Sequence, residues 1–257
     1  MAELHNAMQH GQFRVYYMPV VSLATRSMVG FEALARWEHP ERGVISPALF
    51  IPLAEETRLI IRLGRWVMLE ACRQMAEWQK RYPLDPPLWL SVNTSPVQYA
   101  DFGLDDQVRG ILEDTELDPP LLSLEIPEGA VLQYRESVTE VCRRLRGMGV
   151  KLSLDNFGVG ASSLSTLHDV GFDRGKIDRT VIAKMGAGGG DRGLVQAIIS
   201  LAHGLSLEVV GEGVEAPGQA AQLSKLWCEY AQGYLFGKPL DADAAGALIA
   251  SHPTWWR

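Results

Sequence analysis

The chain has 257 residues, of which 47% are hydrophobic and 21% charged, and its formal net charge is −7. This composition is typical of a folded globular protein and excludes an intrinsically disordered one. Because the chain is acidic and contains no basic run, it is not expected to bind duplex nucleic acid.

Short apolar runs alternate with longer amphipathic stretches along the chain. The first two runs, Phe13–Val21 and Met28–Leu34, are predicted to pair as a hairpin. Repeated helix–strand units follow. The later predicted strands are Leu88–Val92, Leu121–Ile126, Lys151–Leu154, Gly175–Ile177, Leu207–Val210 and Glu229–Gly233. The predicted helices are Pro47–Glu56, Ile60–Arg81, Asp105–Thr115, Ser137–Met148, Asp191–His203 and Pro217–Leu226.

Eight strands in this rhythm predict an α/β barrel that occupies residues 1–257 as a single domain. A doubly wound open sheet is the alternative, but no GxGxxG motif follows the first strand, which disfavours a Rossmann-type dinucleotide fold.

No apolar run approaches the ~20 residues that a membrane-spanning helix needs. The amino-terminal segment has no apolar stretch of the signal-peptide kind. Three widely spaced cysteines are expected to be reduced thiols, which fits a cytoplasmic location.

The predicted strands end in oxygen-bearing side chains. These residues are Glu32, Asn93, Glu125, Asp155 with the adjacent Asn156, and Glu212. In a parallel barrel the carboxyl ends of the strands share one face, so these groups are expected to converge. Such a cluster repels itself unless a cation binds, and hard oxygen ligands suit Mg²⁺, Mn²⁺ or Ca²⁺.

Two such ions could activate a water molecule and stabilise an in-line displacement at phosphorus. Lys176, on a later strand, could contact that water or neutralise charge on a phosphate. Each acid taken singly could instead cap a helix or lie in a loop. The absence of HExxH and HxH spacings disfavours a zinc site, and the absence of GxSxG disfavours a serine hydrolase.

The chain also carries a series of ordered motifs. They are YMPVV from Tyr17, FEALARW from Phe31, FIPLAE from Phe50, SVN from Ser91, LEIPE from Leu124, DNFG from Asp155, KIDR from Lys176, EGVE from Glu212 and QGYLF from Gln232. In this order, over nearly the whole chain, they resemble the EAL domain family. The resemblance implies a modified barrel with an antiparallel first strand. It also implies hydrolysis of cyclic di-GMP to linear pGpG by metal-activated water, in bacterial second-messenger signalling.

The resemblance implies a role for each matched residue. Mg²⁺ or Mn²⁺ would be bound by Glu32, Asn93, Glu125, Asp155, Asn156 and Glu212. The catalytic group would comprise Lys176, Glu212, Glu215 and Glu32. Cyclic di-GMP would be contacted by Arg36, Leu34, Gln232, Phe236 and Asp178. Glu128 would order the loop that follows Asp155. A homodimer, and sensory or cyclase domains adjacent to this one, are further partners that the family suggests.

The sequence departs from the family pattern at several positions near these residues. Asn156 stands where the family usually has a second aspartate, so the second cation is expected to bind more weakly. Val159 and Ala161 replace a threonine and an aromatic residue of the following loop, Gly129 replaces a serine, and Met18 replaces a glutamine. The alternative to an active phosphodiesterase is therefore a catalytically weak or inactive receptor that binds cyclic di-GMP and signals to a protein partner.

Overall fold

The computed structural model describes residues 2–100, 103–158, 164–185 and 192–255. Within these residues nine strands form one sheet. The strands are β1 (Phe13–Ser22), β2 (Met28–His39), β3 (Gly43–Ile45), β4 (Trp89–Asn93), β5 (Leu122–Pro127), β6 (Lys151–Phe157), β7 (Arg174–Ile177), β8 (Glu208–Gly211) and β9 (Tyr230–Gln232).

The sheet closes into a barrel of eight strands, and β3 extends β2 outside it. The strand order is β1-β9-β8-β7-β6-β5-β4-β2-β3, and the additional pairing of β1 with β2 completes the ring. Strand β1 runs antiparallel to both of its neighbours, β2 and β9, whereas the pairings from β2 through β4 round to β9 are parallel. The predicted barrel with an antiparallel first strand is therefore confirmed.

Helices surround the barrel. They are α1 (Ala2–Gln9), α2 (Pro47–Glu56), α3 (Leu59–Arg81), α4 (Val97–Ala100), α5 (Leu104–Thr115), α6 (Glu128–Gln133), α7 (Arg135–Gly147), α8 (Leu164–Val170), α9 (Arg179–Ala183), α10 (Arg192–Gly204), α11 (Pro217–Lys225) and α12 (Ala242–Ala250). Six of them correspond to predicted helices within two residues at each end, since their buried faces repeat at helical spacing. None of the helices in the described ranges is both long and apolar enough to cross a membrane.

An aromatic cluster holds the first hairpin against α3. The rings of Tyr17 and Trp78 lie 4.7 Å apart in an edge-to-face arrangement, and the ring of Phe31 lies 5.3 Å from that of Trp78. Because side chains alternate along a strand, Phe31 faces α3 while its neighbour Glu32 faces the barrel interior. The cluster thus determines which way Glu32 points.

A close backbone contact fixes the end of β9. A Cβ atom added to Gly233 would lie 2.1 Å from the carbonyl oxygen of Val214 and 2.2 Å from its nitrogen. The two segments can approach this closely only because residue 233 has no side chain. This contact positions the preceding residue, Gln232, at the mouth of the barrel.

We predict that Gly233→Ala lowers the free energy of unfolding by about 3 kcal/mol, because two backbone segments must separate. The matched control is Gly110→Ala in α5, where an added Cβ meets no atom within 4 Å. That change should stabilise the protein by about 0.5–1 kcal/mol through helix propensity. Denaturant unfolding of both variants measures the difference. Equal unfolding midpoints for the two variants would contradict the close contact between Gly233 and Val214.

Candidate active site

Glu32 on β2 is held by two amide groups at the carboxyl end of the barrel. Nδ2 of Asn93, the last residue of β4, donates to Oε1 of Glu32 at 2.6 Å. Nε2 of Gln232, the last residue of β9, donates to Oε2 at 2.6 Å. Both oxygens of this buried carboxylate therefore have a fixed direction, as a ligand or catalytic group requires.

Lys176 on β7 lies among three carboxylates. Its Nζ is 2.5 Å from Oε2 of Glu125 on β5, 2.6 Å from Oε1 of Glu212, and 3.4 Å from Oε2 of Glu32. The lysine side chain is buried, so these ion pairs are shielded from water. Residues from three strands, and Glu212 directly after β8, thus meet at one point although they are distant in sequence.

The carboxylates outnumber the ammonium group that compensates them. Burial, then the charge of Glu32, raises the pKa of Glu125 well above its usual value. Burial also raises the pKa of Asp155, and it raises the pKa of Glu212 to about 7 although Lys176 opposes the shift. Among the described residues Lys176 is the cation in direct contact with these acids, and the cluster therefore resists full ionisation at neutral pH when no metal is bound.

The pKa values of Glu32 and Lys176 shift in the directions that favour the charged forms of both groups. Burial disfavours the Glu32 carboxylate, but the charge of Lys176 and the donated hydrogen bonds outweigh burial and hold its pKa below the usual value. Burial likewise opposes the charge of Lys176, yet Glu125 and Glu212 raise its pKa well above the usual range. An ionised pair therefore forms the centre of the cluster.

Asp155 and Asn156 follow each other at the end of β6. Asn156 has a φ of +60°, a left-handed conformation that asparagine tolerates better than most residues. Its backbone N–H donates to Oδ1 of Asp155 at 2.9 Å, and its Nδ2 donates to Oδ2 at 2.8 Å. The Asn156 amide thus donates to the Asp155 carboxylate, whereas the family usually has a second acid at position 156.

The segment after β4 is fixed by hydrogen bonds that the sequence did not indicate. The hydroxyl of Thr94 donates to the backbone carbonyl of Glu125 at 2.7 Å, and the hydroxyl of Ser95 donates to Oε1 of Glu55 in α2 at 2.6 Å. These bonds join β4, β5 and α2 directly beside Asn93. They restrict the movement of the amide that holds Glu32.

Two hollows flank the acid cluster, which consists of Glu32, Glu125, Asp155 and Glu212. One, of about 350 Å³, is mainly apolar and lies against α2 and α3. The other, of about 300 Å³, lies beside the ends of β8 and β9 and is more polar. Glu32, Leu34 and Arg36 line both hollows, so β2 forms the ridge between them.

The structure distributes the other predicted residues around this ridge. Gln232 and Glu215 line the polar hollow. Asp178 caps α9 by accepting a 2.8 Å bond from the N–H of Thr180. Glu128 is buried at the start of α6. The loop that it is predicted to order contains Val159 and Ala161, which lie outside the described residues.

The aromatic side chain exposed in the polar hollow is Tyr234, whereas the sequence pointed to Phe236. Tyr234 is 58% exposed, and Phe236 is 5% exposed with its ring packed edge-to-face on Trp255. Contact between Phe236 and a ligand thus stays a prediction. Arg179 also lines this hollow and was not predicted; its place in the motif KIDR, directly after Asp178, was the available signal.

The donor set suits a hard divalent cation. Glu32, Glu125, Asp155 and Glu212 supply carboxylate oxygens against the single ammonium of Lys176, and Asn93 adds an amide oxygen. Within the described ranges Oε1 of Gln232, beside Glu32, is buried without a hydrogen-bond partner. In those ranges, however, no group of three or more His, Cys, Asp or Glu residues is already arranged around a metal position. A cation bound there would compete with Lys176 for Glu125.

Comparison with known proteins connects this geometry with a family. Residues 1–239 match the EAL domain. The chain is 39% identical over 249 residues, 96% of its length, to the bifunctional diguanylate cyclase/cyclic di-GMP phosphodiesterase MucR of Pseudomonas aeruginosa. It is 40% identical over 248 residues to the uncharacterized protein y4lL of Sinorhizobium fredii. It spans 36% and 29% of these two relatives, so it corresponds to about a third of their length.

Solved structures resemble the barrel closely. A cyclic di-GMP complex of the PaMucR phosphodiesterase superimposes with a TM-score of 0.90 at 38% identity, covering 95% of this chain and 98% of that one. The EAL enzyme Bd1971, in a form with cAMP and cyclic di-GMP bound, gives a TM-score of 0.91 at 30% identity over 96% of this chain and 67% of that one.

We predict that, with a chelator present, the free energy of unfolding contributed by Glu212 falls as pH rises from about 5 to about 7.5. Its pKa is raised to about 7 in the folded protein, so the folded state holds a proton that the unfolded chain releases at lower pH. Stability is therefore lost as pH rises, by up to about 3 kcal/mol. Denaturant unfolding of the wild type and of Glu212→Gln across this range measures the difference. A difference that does not change with pH would contradict the assignment.

Proposed function

This chain belongs to the EAL domain family, and we propose that it hydrolyses cyclic di-GMP to linear pGpG with Mg²⁺ or Mn²⁺ as cofactor. The relatives that it matches include a protein named as a cyclic di-GMP phosphodiesterase and a phosphodiesterase in complex with cyclic di-GMP. Since the chain corresponds to about a third of its longer relatives, we also propose that it acts beside other domains of a signalling protein.

The observation that carries the proposal is the position of the acid cluster between two hollows. A cyclic dinucleotide has two nucleosides joined through their riboses by two phosphodiesters, and each ribose carries a base. The ridge formed by Glu32, Leu34 and Arg36 would place one phosphodiester over the acids, with a base on each side. Arg36 offers a guanidinium to the phosphate, because its only side-chain hydrogen bond among the described residues is to the carbonyl of Ala35.

Divalent cations, when bound, would compensate the charge of the carboxylates and lower the pKa of the water that attacks phosphorus. The first cation would be held by Glu32, Asn93, Glu125 and Asp155, and the second by Asp155, Asn156 and Glu212. An uncharged amide at position 156 makes the second site the weaker of the two.

The chain's own residues would orient the reacting groups. Lys176 lies close enough to Glu125 and Glu212 to hold the attacking water or to neutralise the phosphate as its charge grows. The water loses a proton as its oxygen forms the new bond to phosphorus, and the ribose oxygen on the opposite side leaves and takes up a proton from solvent. Gln232 and Asn93 keep Glu32 oriented throughout, while Tyr234 and Phe236 are the candidates to pack against a base.

We predict that Glu32→Gln lowers the rate of pGpG formation by about 100-fold or more, because it removes the charge of a ligand without changing its size. Purified protein with Mn²⁺ and cyclic di-GMP, followed by nucleotide chromatography, measures the rate. Glu113→Gln, on the exposed face of α5, is the matched control and should leave the rate unchanged. Tight binding of cyclic di-GMP by the wild type without pGpG formation would contradict the proposal and indicate a receptor.

We predict opposite effects of Asn156→Asp on stability and on activity. In the presence of a chelator the variant loses the bond from Nδ2 to Asp155 and sets two carboxylates side by side, which should cost about 1–3 kcal/mol of unfolding free energy. At Mn²⁺ concentrations that leave the second site of the wild type partly empty, the added charge should strengthen cation binding there and raise the hydrolysis rate about tenfold, equivalent to about 1.4 kcal/mol. A variant that is no faster under these conditions would contradict the weaker second site.

A further inference from the structure

The interior of the barrel beneath the acid cluster is lined by small polar residues. Ser91 pairs in register with Glu32 and with Ser123, and Ser153 pairs with Glu125. Register partners in a parallel sheet point to the same face, so all three serines face the interior like the acids. Ser91 and Ser123 each lie two residues, about 7 Å, before a residue of the candidate active site.

This lining differs from the usual filling of such a barrel. Barrel interiors are commonly packed with branched apolar side chains. Here three of the strands carry a serine two residues before a residue of the candidate active site, and on β2 the corresponding position, two residues before Glu32, is Gly30. Hydroxymethyl groups leave more space than valine or leucine would. At Gly30, however, an added Cβ would meet the ring and the backbone of Trp89, so that residue fills the space there. The lining beside the serines is therefore polar.

The lower end of this region is formed by Arg174. It pairs in register with Ser153, and its guanidinium lies 4.3 Å from the ring centroid of Trp89 and 5.7 Å from that of Tyr230. Its Nε donates to Oε2 of Glu208 at 3.1 Å. Arg174 and Glu208 also border a polar groove on the amino-terminal face of the barrel.

Three polar atoms in this region have no hydrogen-bond partner within the part of the chain that the structure describes. They are Oγ of Ser123, Oγ of Ser153 and Nη1 of Arg174. Both serines are only 1% exposed. Burial of a polar group without a partner is unfavourable, and such groups in native proteins are usually satisfied by ordered water.

We propose that the barrel interior between the acid cluster and Arg174 is a buried water site, where ordered water molecules bond to Ser123, Ser153 and Arg174. These molecules connect the polar ends of the barrel. They also provide the hydrogen-bond partners that the middle of the barrel lacks. The inference does not depend on catalytic activity, because it concerns the folded chain alone.

Two kinds of measurement test the site. A high-resolution crystal structure should show water bonded to Oγ of Ser123 and Oγ of Ser153. Magnetic relaxation dispersion of water should detect long-lived internal molecules whose number falls in the double variant Ser123→Ala/Ser153→Ala. An empty or differently filled interior, or an unchanged number of internal waters, would overturn the proposal.

The double variant also separates a hydrated interior from a dry one by the sign of its stability change. If water is bound, loss of the hydroxyls removes hydrogen bonds and should lower the melting temperature by about 2–4 °C. If the interior is dry, loss of two unpartnered hydroxyls should raise it. Ser224→Ala, at an exposed position of α11, is the control that should leave the internal waters unchanged.

Discussion

The buried ammonium group of Lys176 faces more carboxylate charge than it can balance. It contacts Glu125, Glu212 and Glu32 at the carboxyl end of the barrel, and Asp155 adds a further acid nearby. Because each of these groups is removed from water, the repulsion among them is poorly screened. The arrangement is therefore suited to gain a cation and a negatively charged ligand together, and less suited to exist without either.

Contacts elsewhere in the fold fix the positions of these charged side chains. The ring of Trp78 on α3 packs on Phe31 and so determines the direction of Glu32, and the absence of a side chain at Gly233 lets Gln232 reach the same carboxylate. Thr94 and Ser95 tie the segment after β4 to its neighbours. These contacts come from β2, β4, β5, β9 and the helices α2 and α3, so packing of several elements offsets the energetic cost of grouping the acids.

The acids could be predicted from the sequence because each follows an apolar run, and parallel strands in a barrel bring such positions to one face. The resemblance to a family then assigned their roles. The individual side-chain contacts that join segments distant in sequence could not be predicted. Whether Tyr234 or Phe236 faces the hollow depends on Trp255, which packs on Phe236 from the far end of the chain. The bond between Glu55 and Ser95 joins residues 40 positions apart. Glu55 ends the FIPLAE motif, but nothing in that motif indicates Ser95 as its partner.

A divalent cation would complete the charge balance of this cluster by replacing protons. Calorimetric titration of the protein with Mn²⁺ near pH 6.5, in buffers of different ionisation enthalpy, measures both binding and the protons exchanged. Because burial raises the pKa of Glu212 to about 7 and raises that of Glu125 as well, binding should release about one proton or more per chain. Absence of Mn²⁺ binding, or binding without proton release, would contradict the account.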